Sequence, residues 1–463
     1  MTVERRGQQN LDHADSTHAD RSIRYHESKE LSLSSWARIR LHANRGRDVT
    51  FNNLLTHFKV ENFREAFRAL DGSKAKGMDG IAKGDYVVGL DGKLEDLVNR
   101  IHKGTYRPQT KREVLIPKAN GKTRPIAISA FEDKLVEWVL SKTLESIYEP
   151  LFIRNSFGFR PRKSAHDAID ATYLTLKDNK RPFVVEIDLK SFFNTVSHRK
   201  LMEILQIKIK DPRLLGLTAR FLKAEIHHAV DNITRNADVG TPQGSVMSPV
   251  LANIYLHYVL DQWFLENFAS HTAVIVRYAD DAIFMFDKEV KAKTFLSALR
   301  QRLSTFELEL NEEKTAVIDF TQGRNGIFHF LGFSLYWAKR YMSQKLTLSL
   351  RTDKAKLHRK MMDYTAWVKK VRSFVKARKI WETTVAKLRG HYNYYGYFCN
   401  RRSLWRYYHS VLWSLFRWLN RRSQKTSFTW SRFKEIVAHM RLPTPPTMEQ
   451  LKSPGWNPYA KPC

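Results

Sequence analysis

The sequence is poor in cysteine and lacks long apolar runs. Among 463 residues there are two cysteines, Cys399 and Cys463, too few for a disulfide framework or a four-cysteine zinc site. No run of 18 uncharged apolar residues occurs, and no segment has the pattern of a signal peptide. These absences argue against a membrane or secreted protein, so we expect a cytoplasmic one.

Acidic residues are also scarce relative to basic ones. Lys and Arg number 78 against 47 Asp and Glu, which gives a formal net charge of +31. Each phosphate contact releases counterions and favours association with a polyanion. The charge therefore predicts a nucleic-acid partner and association with the nucleoid or with a ribonucleoprotein particle.

The pattern of apolar residues changes along the chain. Residues 1–50 have few apolar positions and predict a partly disordered leader. Residues 51–345 alternate helical spacing with short strand-like runs, which indicates an α+β fold class. Residues 346–442 are helical in pattern and strongly basic, with 11 Lys or Arg against two acids from Arg351 to Lys379. Residues 443–463 begin with a proline cluster, and we expect them to be a short C-terminal tail.

Two adjacent carboxylates lie between two apolar runs. The segments Val274–Tyr278 and Ala282–Met285 predict a β-hairpin with Asp280 and Asp281 at its tip. Taken alone, paired Asp residues are common in turns because Asp tolerates the required backbone and caps itself.

A third carboxylate, Asp188, ends the strand-like run Val184–Ile187. An Asp in this position is also a common helix cap. If neighbouring strands bring it to Asp280 and Asp281, the three side chains offer hard oxygen ligands without His or Cys, which suits Mg²⁺. Two such ions about 4 Å apart can activate an attacking hydroxyl and stabilise a leaving oxygen, the chemistry of nucleotidyl transfer.

Ordered blocks along the chain resemble the group II intron-encoded reverse transcriptase/maturase family. Tyr278-Ala-Asp-Asp281 resembles the catalytic box, in the form with alanine second. The other blocks that carry the resemblance are, in chain order, Ile116–Pro125, Asn155–His166, Gly240–Tyr255, Leu310–Thr315, Phe330–Phe333, Leu388–Gly396 and Trp418–Gln424. One departure is Ser245, where the family more often has glycine.

The resemblance implies a right-hand polymerase. Fingers and a palm with an antiparallel sheet would occupy residues 51–345, and an all-α thumb/maturase (X) domain residues 346–442. The activity would be that of an RNA-directed DNA polymerase with two Mg²⁺ ions. Asp188, Asp280 and Asp281 would be catalytic metal ligands, and the backbone carbonyl of Leu189 could complete a coordination shell.

The resemblance also implies the residues that bind the incoming nucleotide. Lys122 and Arg124 would hold the triphosphate, a role that suits cationic donors. Phe193 would lie under the sugar and exclude a 2′-hydroxyl, although without the resemblance it would be interpreted as a core aromatic residue. Gln243 would contact the nucleotide near its sugar and base, and Lys314 would assist the leaving pyrophosphate.

Further implied roles concern the nucleic acids. The turn at Gly332 would support the primer end, and Lys369, Lys370, Arg372 and Lys376 would bind RNA. The partners would be an RNA template, a DNA or RNA primer, dNTPs, a DNA target and the group II intron RNA, whose splicing and mobility the chain would assist.

Two other functions remain open from the sequence. One is the same polymerase acting without an intron, in repair, phage defence or beside a CRISPR system. The other is an RNA-binding splicing maturase without polymerase activity. The full set of carboxylates together with Arg124, Phe193 and Gln243 argues against the latter, because a relict site has no chemical reason to keep them together.

Overall fold

The computed structural model describes residues 34–117, 123–228, 230, 232–324, 326–339, 345–422 and 427–452. These residues form a mixed α+β structure with three sheets, which confirms the predicted fold class. No helix among them combines the length and apolar character that a membrane crossing requires. Contacts divide the chain into a first unit (Met1–Ile153, Ser191–Leu260 and Phe306–Leu308) and a second unit (Arg154–Lys190, Asp261–Thr305 and Glu309–Cys463).

The elements follow in chain order. The helices are α1 Ser35–Ala43, α2 Val60–Ala69, α3 Lys83–Tyr86, α4 Leu90–His102, α5 Phe131–Tyr148, α6 Ala165–Leu176, α7 Phe192–Thr195, α8 His198–Lys208, α9 Pro212–Leu222, α10 Ser248–Leu256, α11 Trp263–Asn267, α12 Glu289–Ser304, α13 Lys354–Val371, α14 Ala377–Tyr395, α15 Arg401–Leu419, α16 Trp430–His439 and α17 Met448–Lys452. The strands are β1 Lys111–Pro117, β2 Thr123–Ile128, β3 Phe183–Ile187, β4 Ile226–His228, β5 Ile233–Arg235, β6 Ala273–Tyr278, β7 Asp281–Phe286, β8 Ala316–Asp319, β9 Ile327–Phe330, β10 Phe333–Lys339 and β11 Leu346–Thr352. Short 3₁₀ helices cover Leu54–His57 and Phe398–Asn400, and a π-helical stretch covers His257–Gln262.

The first unit is built around α5. Leu135, Val136, Val139 and Leu140 on this helix are fully buried. A sheet of order β2-β1-β4-β5 belongs to the same unit, with β1 antiparallel to β2 and parallel to β4. Helix α1 packs on α5 and lies inside the segment predicted as a leader, whose residues 1–33 are outside the described residues.

The second unit contains an antiparallel sheet of order β6-β7-β3-β8. Strand β3 lies between β7 and β8, and its residues Val184 and Val185 are fully buried, as expected for a β-branched run inside a sheet. The strands predicted around Val184–Ile187, Val274–Val276 and Ala282–Met285 are confirmed.

A second sheet, of order β11-β10-β9, and helices α13 to α17 complete this unit. Helix α13 packs against α15. Helix α15 has a buried apolar face, on which Leu404, Val411 and Leu415 are fully buried. The prediction of an all-α segment from residue 346 is wrong at its start, because Leu346–Thr352 form strand β11 against β10 and the helical part begins with α13 at Lys354. The assignment of these helices to a thumb/maturase domain stays a prediction.

Candidate active site

The β6–β7 hairpin carries the paired carboxylates. Tyr278 pairs with Asp281, so Ala279 and Asp280 form a two-residue turn at the tip, as the sequence predicts. Ala279 has a φ of 57°, in the left-handed region that L residues other than Asn and Asp seldom adopt. The turn is therefore strained and needs support from its surroundings.

Two contacts provide that support. A Cβ added to Gly158 would lie 2.2 Å from the backbone nitrogen of Ala279, so only glycine allows the chain to pass this close. Arg277, fully buried, donates from Nη1 to the carbonyl of Ala279 at 2.9 Å. Its Nε and Nη2 donate to the two carboxylate oxygens of the equally buried Asp261, at 2.7 and 2.6 Å. Sequence reasoning assigned no role to Gly158, Arg277 or Asp261, although an arginine inside an apolar strand is a visible signal.

Asp188 lies at the same end of the sheet as the hairpin tip. Ile187 on β3 pairs with Ala282 on β7, so the antiparallel register places Asp188 across from Asp281. Oδ2 of Asp188 accepts hydrogen bonds from Nζ of Lys314 and Nδ2 of Asn311, both at 3.0 Å. Lys314, which is predicted to lie near the triphosphate, therefore contacts Asp188, which is a predicted metal ligand. Leu189 forms an antiparallel bridge with Leu310.

Negative charge accumulates at this end of the sheet. Desolvation by the surrounding protein, together with the charges of Asp280 and Asp188, raises the pKa of Asp281 to about 6. The pKa of Glu186 is raised to about 7, chiefly by burial and further by the charges of Asp281 and Asp188, against the opposing effect of a hydrogen bond from the backbone of His329. Glu186 is an acidic group at the site to which the sequence analysis gave no role.

The donor set can be compared with the needs of a metal ion. Carboxylate oxygens without His or Cys suit Mg²⁺, and a divalent cation would relieve the mutual repulsion that raises the pKa of Asp281. Among the described residues, however, no three His, Cys, Asp or Glu side chains are grouped closely enough to hold an ion by themselves. The chemistry of the residues fits Mg²⁺, while the side chains do not form a closed cage.

A cavity of about 230 Å³ adjoins Asp281 and Glu186. Its wall includes Gly332, which with Leu331 forms the two-residue turn between β9 and β10 and has a φ of 86°. The carbonyl of Leu331 accepts a hydrogen bond from the Tyr394 hydroxyl at 2.9 Å. The turn predicted to support the primer thus lines the same cavity as a predicted catalytic carboxylate.

Two predicted nucleotide-binding segments meet in the first unit. Arg124 is exposed on β2, and the amide of Ala127 on the same strand donates to the carbonyl of Gln243 at 2.7 Å. Gly244 has a φ of 107°, and an added Cβ would lie 2.6 Å from Cγ2 of Ile126, so the loop requires glycine here. Lys122 lies outside the described residues.

A buried carboxylate fixes the other side of this loop. Oε2 of Glu137 on α5 accepts a hydrogen bond from the backbone nitrogen of Val246 at 2.8 Å. Oε1 accepts one from the Ser129 hydroxyl at 2.8 Å and lies 3.3 Å from Nζ of Lys111. Glu137 and Lys111 are both fully buried. No motif in the sequence points to this pair.

Phe193 also belongs to the first unit. It is half-buried on α7, its ring centroid is 5.4 Å from that of Phe192, and its carbonyl accepts a hydrogen bond from the backbone nitrogen of Thr241 at 2.7 Å. The structure therefore brings Phe193 next to the segment that leads into the Gln243 loop.

The predicted RNA-binding residues lie in the last turn of α13 and just after it. Lys369, Lys370 and Lys376 are exposed. Arg372 is half-buried and donates hydrogen bonds to the carbonyls of Lys369 and Arg421, at 2.9 and 3.1 Å. Arg372 thus has a structural role as well as a charge.

Comparison with known proteins identifies the family. Residues 116–335 match the model of the reverse transcriptase (RNA-dependent DNA polymerase) family. The chain is 33% identical to Protein YkfC of Escherichia coli over 322 residues, 62% of this chain and 82% of that protein. It is 35% identical to the group II intron-encoded protein LtrA of Lactococcus lactis over 237 residues, 50% of this chain and 38% of LtrA. It is 40% identical to an uncharacterized 91 kDa protein in the cob intron of Schizosaccharomyces pombe over 185 residues, 39% of this chain and 22% of that protein.

The chain thus spans most of YkfC but less than half of the two intron proteins. The matched region contains Asp188, the Tyr278–Asp281 hairpin and the Gln243 loop. With this domain and these relatives, the chain is an RNA-directed DNA polymerase that belongs to the group II intron-encoded reverse transcriptase/maturase family.

Proposed function

We propose that Asp188, Asp280 and Asp281 are the catalytic carboxylates of this polymerase and that they hold two Mg²⁺ ions, with the carbonyl of Leu189 as a further ligand. The observation that carries the proposal is the register of β3 against β7, which puts Asp188 across from Asp281 at the end of the sheet where Asp280 forms the hairpin tip. Burial and the charges of Asp280 and Asp188 raise the pKa of Asp281, and this concentration of carboxylates supports the proposal because negative charge attracts a divalent cation.

When bound, Mg²⁺ would activate the primer 3′-hydroxyl and stabilise the leaving pyrophosphate. The residues of the chain orient the reactants around it. Lys314, held at the site by its contact with Asp188, neutralises charge on the triphosphate. Gly332, in the wall of the cavity beside Asp281, supports the primer end, since its turn is anchored through Leu331 and Tyr394.

Nucleotide selection is assigned to the first unit. Lys122 and Arg124 bind the triphosphate, Gln243 contacts the sugar and base, and the Phe193 ring excludes a 2′-hydroxyl. The hydrogen bond between Ala127 and Gln243 supports a shared role for β2 and the loop, because it fixes their register.

The RNA partner is assigned to the basic helical region. Lys369, Lys370, Arg372 and Lys376 would bind a group II intron RNA whose splicing and mobility the chain assists, beside the RNA template, the DNA or RNA primer, dNTPs and a DNA target. The net charge of +31 supports a polyanionic partner. We propose a cytoplasmic setting, with the protein in a ribonucleoprotein particle.

One preparation tests the proposed function. The purified chain should extend a DNA primer on an RNA template with dNTPs and Mg²⁺, and a chelator should stop the extension. It should also bind a group II intron RNA more tightly than an RNA of the same length and shuffled sequence. DNA synthesis without preferential binding of the intron RNA would favour the intron-independent polymerase. Preferential binding of the intron RNA without DNA synthesis would favour a splicing maturase that lacks polymerase activity.

Replacement of Phe193 by valine tests the assignment of sugar selection. Phe193→Val should lower the ratio of catalytic efficiencies for dNTPs over rNTPs by at least about tenfold, because it opens space for a 2′-hydroxyl. Phe192→Val, a neighbouring but fully buried site, is the control and should destabilise the fold without changing the ratio. An unchanged ratio in Phe193→Val would make Phe193 a packing residue.

A further inference from the structure

Four cations surround the indole ring of Trp418 near the C-terminal ends of α13 and α15. The charged groups of Lys369, Arg372, Arg417 and Arg421 lie between 4.8 and 5.4 Å from the ring centroid. The side chain of Trp418 is 8% exposed, and its Nε1 is buried with no hydrogen-bond partner among the described residues. The cluster therefore concentrates positive charge around a buried ring.

No carboxylate balances these charges in the described part of the chain. The ion pairs of the helical region join other residues, such as Arg359 with Asp363 and Arg378 with Glu382. Residues 401–422 include no Asp or Glu. Partial negative charge at the two helix ends offsets part of the repulsion, and Arg372 donates to carbonyls there. The remaining positive charge calls for an anion from outside.

An exposed aromatic ring lies one helical turn before Arg417. Trp413 is 60% exposed, and it stacks on Trp430 with ring centroids 4.7 Å apart and 13° between the planes. One face of the indole is thus supported while the residue stays largely open to solvent. Four residues of α-helix separate Trp413 from Arg417, about 6 Å along the axis.

The same face of α15 continues as a basic row. Arg402, Arg406, His409, Trp413 and Arg417 are exposed at spacings of four, three, four and four residues, which places them on one side of the helix. A basic surface with an open aromatic ring is the combination that binds nucleic-acid strands, with the cations on phosphates and the ring against an unpaired base.

We propose that this surface, formed by the exposed row on α15 and the cations around Trp418, binds an RNA segment that contains an unpaired base. The base stacks on Trp413, and the neighbouring phosphates bind Lys369, Arg372, Arg417 and Arg421. This inference rests on the proposed function, in which the chain binds RNA. It adds a stacking position, Arg417 on α15 and Arg421 just after that helix to the cations predicted from the sequence. A fully paired duplex would use the cations alone.

Three variants and two RNAs test the inference. The RNAs are a hairpin with a single-stranded loop and a blunt duplex of equal length, and binding is measured by fluorescence anisotropy. Trp413→Ala should weaken binding of the looped RNA by about tenfold or more and leave the duplex unchanged, because stacking needs an unpaired base. Trp413→Phe keeps an aromatic face and should retain most of the affinity, which separates stacking from damage to the fold.

The double variant Arg417→Gln/Arg421→Gln should weaken binding of both RNAs. For two lost phosphate contacts, the slope of log affinity against log salt for the looped RNA should become shallower by about 1.4. The control Lys177→Gln/Lys180→Gln removes two exposed positive charges elsewhere in the second unit, so its slope should match that of the wild type.

The inference is overturned if Trp413→Ala binds the looped RNA like the wild type, if it weakens both RNAs equally, or if the control variant changes the slope as much as the arginine variant. If Trp413→Ala loses as much affinity for a looped DNA as for the looped RNA, the surface binds single strands of both DNA and RNA. A wild-type chain that binds no RNA would instead contradict the proposed function, so the two failures are distinguishable.

Discussion

At the scale of single residues, Arg277 connects the catalytic turn to the interior of the second unit. Its guanidinium makes a bidentate ion pair with Asp261 and also holds the carbonyl of Ala279. Lysine could not make all three hydrogen bonds, because it lacks the planar fork of donors. The residue is therefore expected to act on both stability and catalysis, through different atoms.

We predict that Arg277→Met lowers the free energy of unfolding by about 3–5 kcal/mol, because it leaves the buried Asp261 carboxylate unpaired. Adding Asp261→Leu should restore most of the stability but not the hydrogen bond to Ala279. The rate of DNA synthesis by the double variant should therefore remain at least about tenfold below that of the wild type. Thermal unfolding and primer extension measure the two effects; a double variant with full stability and full extension would show that Arg277 does not position the turn.

A second prediction concerns the pH dependence of stability. Burial raises the pKa of Asp133 to about 7, although the Tyr106 hydroxyl and the backbone nitrogen of Gln109 donate hydrogen bonds to its carboxylate. Since the folded state holds this proton more tightly than the unfolded state, stability should fall as the pH rises from about 4 to about 7, by up to about 1.4 kcal/mol per pH unit.

Asp133→Asn should remove this component, because an amide does not titrate. Urea unfolding of wild type and variant between about pH 5 and about pH 7 measures the difference in slope. Asp91→Asn is the control, since Asp91 is exposed on α4 of the same unit. Parallel pH profiles for the wild type and Asp133→Asn would mean that Asp133 does not hold a proton in the folded state.

At the scale of elements, local patterns predict the catalytic strands well. The apolar runs around Asp188 and around Asp280 and Asp281 form β3, β6 and β7, since β-branched residues flanked by turn residues favour strands wherever they pack. The supports of the hairpin were not predictable in this way. Asp261 comes from the π-helical stretch 16 residues before Arg277, and Gly158 comes from a different part of the chain. Such pairings depend on tertiary contacts that no local pattern encodes.

The loop that carries Gln243 is an element fixed from two sides. Ala127 holds its start and Glu137 holds Val246 at its end. We predict that Glu137→Gln raises the KM for dNTPs by about tenfold or more with a smaller change in kcat, because a small displacement of binding groups costs affinity for the nucleotide before it affects the metal carboxylates.

Steady-state primer extension measures this split. Glu145→Gln, which changes a half-buried carboxylate on the same helix that pairs with Lys142, is the matched control and should leave both constants unchanged. Equal effects of the two variants would show that Glu137 supports only the general stability of α5.

At the scale of the whole molecule, the sequence predicts the partner class more directly than the arrangement of units. A net charge of +31 can be interpreted without knowledge of the fold, because it attracts any polyanion. The two compact units, by contrast, are each assembled from three separated stretches of chain. The short stretch Phe306–Leu308 belongs to the first unit while its neighbours on both sides belong to the second, and nothing in its composition indicates this.

The carboxylates at the end of the β6-β7-β3-β8 sheet are proposed to perform the chemistry of DNA synthesis. Asp280→Asn tests this proposal most directly, because Asp280 lies in the hairpin turn and its replacement by the nearly isosteric amide should disturb the fold little. Asp287→Asn is the matched control. Asp287 follows β7 at the opposite end of the same strand, about 20 Å from Asp280, and pairs with Lys291 at the surface.

The measurement is primer extension on an RNA template together with filter binding of the same RNA. We predict that Asp280→Asn abolishes extension while its RNA affinity stays within about twofold of the wild type, since the carboxylate stabilises charge in the transition state and contributes little to phosphate binding. Full extension by Asp280→Asn, or an equal loss in Asp287→Asn, would contradict the proposal.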